Sequence, residues 1–296
     1  MTVCIAARCQ ANEPGNTILF GLSDRMVTAG DIQFQPPARK IVPFTNSIIG
    51  MTSDEDTALH GEILQDLTID ITDRVKNEPT KWLDVEFVAE LYLKHRNEAK
   101  RRRAERDILF PLGLDSQNFI TKQHTMSDSF IRQISLDLVN YQMPQMSIIV
   151  CGVDTRGHHI YVVHDNDIGC YDGIGFASIG IGARHANSQF MLQGHTPHSS
   201  FAETMLLAYL AKKRAEIAPG VGTETDIFFF GPQLGSFNPA IDEALLAKLE
   251  TEYKKIANSE KQQLVESKLE ISSYVKQLQA TTPATQQEAS KPSGSS

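Results

Sequence analysis

Three residues near the start of the chain have the types and spacing to open an acyl bond. Thr2 follows the initiator methionine, Asp24 lies just past a second apolar run, and Lys40 stands sixteen positions beyond that aspartate. Removal of Met1 would leave Thr2 with both a hydroxyl and a free α-amine. A hydroxyl alone is a weak nucleophile and needs a base beside it. An α-amine, with an ordinary pKa of about 7.7–8.0, is partly unprotonated near neutral pH and can serve as that base. The stretch therefore reads as a threonine nucleophile with its base and its electrostatic support. The alternatives are an ordinary second residue in a strand for Thr2, and a purely structural ion pair for Asp24 and Lys40. Cys4 lies inside the strand and lacks the adjacent amine.

Strands must hold these residues. Residues 2–7 are apolar and short, residues 8–16 carry Asn12, Pro14, Gly15 and Asn16, and residues 17–22 return, which predicts an antiparallel pair. Residues 40–44 and 47–51 read as a second hairpin ending in Gly50. Ser53 is placed to cap a helix with Asp56 at its third position, and the apolar face runs to about Val75. A second helix follows Pro79 and enters residues 94–106, dense in Lys, His, Arg and Glu. That run reads as a solvated helix face or, more sharply, as a patch for an acidic partner.

Residues 107–130 are irregular and look like an insertion, with a helix resuming over 131–139. Residues 147–153 and 158–164 form another predicted hairpin. Residues 168–181 are glycine-rich but lack the Lys-Ser/Thr and spacing of a phosphate loop. Helices are predicted over 183–192 and 199–217, a Phe-rich strand over 226–230, and a long charged helix after Pro239. From residue 280 the composition is Ala, Thr, Pro, Gln, Ser and Gly, which predicts a disordered tail.

Strand groups alternating with helix pairs point to an α+β fold, a four-layer α/β/β/α sandwich. With 296 residues the chain can bury a full core. Its 41% apolar and 22% charged residues are ordinary for a globular protein. A net charge of −8 gives no general case for nucleic acid or anionic membranes. No apolar run approaches the ~20 residues that span a bilayer, and residues 2–7 are too short for a signal peptide. Four cysteines show no CxxC or metal spacing. These features point to a reducing, cytoplasmic setting.

Several segments, taken in order, resemble one family. Thr2-Val3 with its strand is similar to the mature start of a proteasomal β-type subunit, in the N-terminal-nucleophile (Ntn) hydrolase superfamily. Residues 23–30 (Ser-Asp-Arg-Met-Val-Thr-Ala-Gly) resemble its Asp-x-Arg-x-Thr-x-Gly block, and Lys40-Ile41 its lysine followed by an apolar residue. Gly50, residues 54–58, residues 147–154 and the Ser-Ile-Gly-Ile-Gly of 178–182 resemble later blocks. The resemblance covers Thr2 to about Gly231. It implies the sandwich fold over residues 1–235, interrupted by the insertion at about 100–130, with a helical extension over 236–279 and a tail over 280–296.

The resemblance also implies a role for each residue. Thr2 Oγ attacks a peptide carbonyl, Lys40 lowers the effective pKa of that hydroxyl, and Asp24 orients Lys40. The Gly50 N–H holds the oxyanion. Thr28 and Gly30 bind substrate backbone as an added strand, while Val27 and Ala38 line the specificity pocket. No metal or organic cofactor is implied. The implied partners are peptide or unfolded-protein substrates, other copies of the chain in a ring or spiral, and an ATP-dependent unfoldase; neither nucleic acid nor membrane is expected. Two departures stand out. Ile181 occupies the position where active members carry a serine near the amine. Within residues 215–222, shortly before the last strand, Glu216 is the only acid and Thr223 the nearest hydroxyl, where the family has Asp and Ser. The other functions compatible with these residues are a non-catalytic assembly subunit and an amidohydrolase of small amides.

Overall fold

The strongest strand signals in the sequence become the centres of two antiparallel sheets. The computed structural model describes residues 2–11, 15–29, 32–34, 40–54, 57–239 and 243–281. In chain order the first elements are β1 (Cys4–Gln10), β2 (Thr17–Asp24), β3 (Val27–Ala29), β4 (Ile32–Phe34), β5 (Ile41–Pro43), β6 (Ile48–Asp54), α1 (Thr57–Asn77) and α2 (Val85–Ala104). Then come α3 (Ser116–Thr121), α4 (Asp128–Val139), β7 (Met146–Asp154), β8 (Gly157–His164), β9 (Asp167–Cys170) and β10 (Phe176–Ile179). The last are α5 (Ala183–Leu192), α6 (Phe201–Ala215), β11 (Thr225–Phe230), β12 (Phe237–Asn238) and α7 (Glu243–Thr281). The chain divides into two compact units, Met1–Asp242 and Glu243–Ser296. Among the described residues no helix is long and apolar enough to cross a membrane.

Sheet I has the order β10-β1-β2-β11-β12 and sheet II the order β5-β6-β7-β8-β9, while β3 and β4 form a separate pair. Among the described residues every pairing between these strands is antiparallel. Side chains alternate across a strand, so β1 serves two faces at once. Cys4 and Ala6 join Ile49, Met51, Ile149, Cys151 and Phe228 in a core shared by the two sheets. Ile5 and Ala7 are equally buried on the opposite face, where α6 packs. The other face of sheet II, through Ile48, Ile148 and Val150, packs on Leu59, Ile63 and Leu67 of α1 and Val88 and Tyr92 of α2. Each such large apolar side chain contributes about 1.5–3 kcal/mol when fully buried.

Three sequence expectations change. Ser53 is not a helix cap: β6 continues through it to Asp54, pairing with Ser147 and Met146, and α1 starts at Thr57. The glycine-rich stretch supplies strands to both sheets. β9 closes the edge of sheet II and β10 pairs with β1, with Gly175 (φ +84) making a turn between them that other residues rarely adopt. The insertion is ordered as α3 and α4 around a small core of Leu109, Phe119 and Ile134.

The basic run lies on α2 and much of its charge is paired within the chain. Arg96 is buried and reaches Asp165 at 2.8 Å, and Arg102 bridges Glu62 and Asp66 on α1 at 2.8 and 3.2 Å. The first compact unit extends beyond residue 235, because β12 pairs with Phe229 and Phe230. Within the second unit, α7 runs to Thr281 and carries Lys–Glu pairs one turn apart, such as Lys248–Glu252 at 2.9 Å. The tail from 282 onward lies outside the described residues.

Candidate active site around Thr2

Three strand ends meet at Thr2. It precedes β1, Asp24 closes β2, and Lys40 precedes β5. Pairing of Cys4 with Ser23 fixes the start of β1 beside the end of β2. The Asp24 N–H donates to the Val3 carbonyl at 3.1 Å, tightening that junction. The Thr2 hydroxyl then donates to Asp24 Oδ1 and accepts from Lys40 Nζ. Lys40 Nζ also lies 2.9 Å from Asp24 Oδ1. The sequence therefore named three residues that the fold brings into mutual contact.

Asp24 is the hub. Besides Thr2 and Lys40, it accepts from the backbone N–H of Val3 at 2.9 Å, of Met26 at 3.0 Å and of Gly222 at 2.8 Å. The carboxylate is fully buried, so five donors on two oxygens compensate its lost hydration. Arg25, next in sequence, bonds both oxygens of Asp226 at 2.6 and 3.0 Å and reaches Glu224 at 3.2 Å. This clamps the end of β2 to the start of β11, where Asp24 pairs with Thr225.

The other side of Thr2 is different in kind. Its carbonyl accepts from the Gly182 N–H at 3.2 Å and lies so close to Gly180 that a Cβ there would sit 2.2 Å from it. Gly180 (φ +93) meets both the steric and the conformational demand of that turn. A Cβ on Gly182 would meet Ala215, Val3 and Val221, all apolar. Ile181 is 47% exposed and lines a cleft of about 600 Å³ with Ser53, Ser147, His164, Ser178 and Gly180. As the sequence implied, position 181 offers no hydrogen-bonding side chain.

Gly50 does not stand at the strand end where the sequence placed it. It sits in mid-β6, paired with Val42 on one side and Val150 on the other. A Cβ there would lie 2.7–2.8 Å from Phe44 and Ile148, so the glycine makes room for packing on the α1/α2 side of sheet II. The part of β6 that approaches β1 lies further on. Cys4 Sγ donates to the Thr52 carbonyl at 3.4 Å, the Thr52 N–H donates to the Lys40 carbonyl at 3.3 Å, and Ser53 lines the cleft. Of the expected substrate contacts, Val27 and Thr28 lie on β3, where Val27 pairs with Phe34 and Thr28 with Gln33. Gly30 and Ala38 lie outside the described residues, as does Met1.

Lys212 escaped the sequence reading. It follows α6 residues buried against the sheet, and its own side chain is fully buried. Its ammonium donates to Glu216 at 2.7 Å and to the Thr223 carbonyl at 2.6 Å. Burial pushes its pKa below the ordinary lysine range, while Glu216 and, more weakly, Asp24 oppose that shift. In the sequence, Lys212-Lys213-Arg214 looks like a basic helix end favoured by the helix dipole. The one available signal was spacing, since Lys212 continues the Ala208 and Ala211 face.

Two of the four thiols, Cys9 and Cys151, are buried and poor nucleophiles. Burial pushes Cys9 up to about 12 and raises Cys151 further. Among the described residues no group of three His, Cys, Asp or Glu side chains is arranged to hold a metal ion. The cluster holds one buried hydroxyl between Lys40 Nζ and the Asp24 carboxylate, where strand ends of the two sheets meet. No protein-family model matches the chain, and no curated protein matches it.

Proposed function

We propose that the chain is a threonine-type peptidase similar to a proteasomal β-type subunit, hydrolysing peptide bonds with Thr2 after Met1 is removed. The observation that carries this reading is the convergence of Lys40 Nζ and Asp24 Oδ1 on Thr2 Oγ1. Thr2 Oγ attacks the peptide carbonyl while the freed α-amine takes its proton. The Lys40 ammonium stabilises the charge that builds on Oγ, and Asp24 holds Lys40 in place. The amine returns the proton to the leaving nitrogen, and water then hydrolyses the Thr2 ester. The oxyanion donor of this reading lies at the end of β6 beyond Thr52, whose own N–H is taken by the Lys40 carbonyl, rather than at mid-strand Gly50, and one such donor is worth about 10²–10³ in rate.

The packing of α1 and α2 on sheet II, of sheet II on sheet I and of α6 on sheet I supports a four-layer α/β/β/α sandwich of the Ntn type. A homo-oligomeric ring or spiral and an unfoldase partner follow from the resemblance alone, and a cytoplasmic location from the sequence features that point to a reducing setting. The test is turnover of a peptide panel by Met1-free protein, with Thr2→Ala as the blank. Cleavage lost in Thr2→Ala is expected, and cleavage unchanged in that variant refutes the proposal.

One observation favours a second reading. Thr2 is only 1% exposed, as a residue that merely ties β1 to β2 would be. In that case the chain is a non-catalytic assembly subunit. It would keep Met1, cleave neither peptides nor small amides, and still form a defined oligomer by light scattering.

A further inference from the structure

We propose that Lys212 is a positioning residue for the Thr2 cluster: its buried ammonium clamps Glu216 to the Thr223 carbonyl and so holds the Gly222 N–H on Asp24. The kinetic consequence rests on the peptidase reading; the clamp itself rests on geometry. A fully buried lysine is rare and survives only where its donors are met. Here they are met by the two ends of one loop. Glu216 lies one helical turn beyond Lys212, and Thr223 lies eleven residues beyond it.

Between those ends the loop reverses. Gly220 has φ +85, and the Val221 N–H donates to the Ala218 carbonyl at 3.2 Å. Gly222 then lies against the cluster. A Cβ there would stand 2.9 Å from Met26 Cβ and 3.2 Å from Asp24 Oδ2. The loop must stay close for the 2.8 Å bond to Asp24 to form. Arg25 holds the next stretch, Glu224 and Asp226, but no Arg25 bond reaches back to Gly222. Lys213 also binds Glu216, at 2.9 Å, yet Lys212 is the lysine whose ammonium bonds the Thr223 carbonyl. Lys212 thus supplies from α6 a support for Asp24 where the sequence offered only Glu216 and a threonine.

The experiment uses the ¹⁵N-labelled full chain and follows the Gly222 amide by chemical shift and hydrogen exchange. Lys212→Met keeps the volume and removes the donors; Lys213→Met is the control that spares the clamp. In folded Lys212→Met we expect the Gly222 amide to shift upfield and exchange at least about tenfold faster, and Lys213→Met to leave it in place. The rate of Thr2 labelling by a peptide epoxyketone should fall about 10–100-fold, with KM for a peptide within about twofold, because small displacements act on chemistry more than on binding.

In an Asp24→Asn background the same change should add no further loss, since both act through one contact. Should Lys212→Met fail to fold, Lys212→Met/Glu216→Leu leaves no lone buried charge and gives the same readout. An unmoved Gly222 amide in either folded variant overturns the proposal. Wild-type protein that never labels at Thr2 while Gly222 still moves overturns the peptidase reading and leaves the clamp standing.

Discussion

The two sides of Thr2 are built on opposite principles. Toward β2 and β5, the hydroxyl meets a carboxylate with five donors and an ammonium, every partner set by a strand end or a tight loop. Toward β10, the carbonyl of the same residue meets Gly180 and Gly182, with half-exposed Ile181 between them and Ala215 and Val221 packed on Gly182. The first side sets Lys40 Nζ and the Asp24 carboxylate on one oxygen. The second makes room for backbone, with glycines where the Thr2 carbonyl passes closest. On the peptidase reading, such a site would pair a polarised nucleophile with a poorly steadied base, and the base would limit its rate.

Substitutions that remove the polar side break the comparison most severely. Thr2→Ala deletes the attacking oxygen and should abolish covalent labelling and peptide turnover, a loss of at least about 10³-fold. The fold should survive at a cost of about 1 kcal/mol for the hydrogen bonds, read as a small fall in Tm.

Asp24→Asn comes next. An amide replaces one acceptor oxygen with two N–H groups, which then face donors already in place. Labelling should fall about 100-fold. Lys40 is largely buried and loses its counter-charge, so stability should drop by about 3–5 kcal/mol in chemical denaturation. Labelling at the wild-type rate in a folded Asp24→Asn protein would remove the hub from the account.

The apolar side can be sharpened instead. Ile181→Ser adds a hydroxyl where the amine lacks one, and position 181 is 47% exposed, so stability should change by less than about 0.5 kcal/mol. Turnover should rise several-fold, about 1 kcal/mol of barrier. A fall in kcat would show that the isoleucine is needed for the cleft rather than tolerated there.

The smallest effect on chemistry belongs to Gly50→Ala. Its Cβ would press on Phe44 and Ile148, costing about 1–3 kcal/mol of stability. The labelling rate of the folded fraction should not change. A labelling loss of 100-fold or more would return the oxyanion role to Gly50.

The same contrast explains what the sequence could disclose. Thr2, Asp24 and Lys40 were legible because each polar side chain stands at the end of an apolar strand, and few structural needs put charge there. Gly50 was not legible as a packing glycine. A glycine inside a strand can serve an exposed N–H or a ring pressed on its Cα, and only the positions of Phe44 and Ile148 distinguish them. Ser53 satisfied the local rule for a helix cap, but pairing with β7 drew it into β6. In the 168–181 stretch the many glycines hid β9, which returns on β8 through a tight turn, and β10, whose partner β1 is distant in sequence. Lys212 resembled any lysine near a helix end until its burial and its bond to Thr223 were visible.

The most direct test of the central claim is intact mass spectrometry of the purified protein, with and without a peptide epoxyketone. The account predicts a chain lighter by one methionine that gains one inhibitor mass, mapped to Thr2, in wild type, and gains none in Thr2→Ala. A chain that retains Met1, or a Met1-free chain that gains no mass after prolonged exposure, would contradict it.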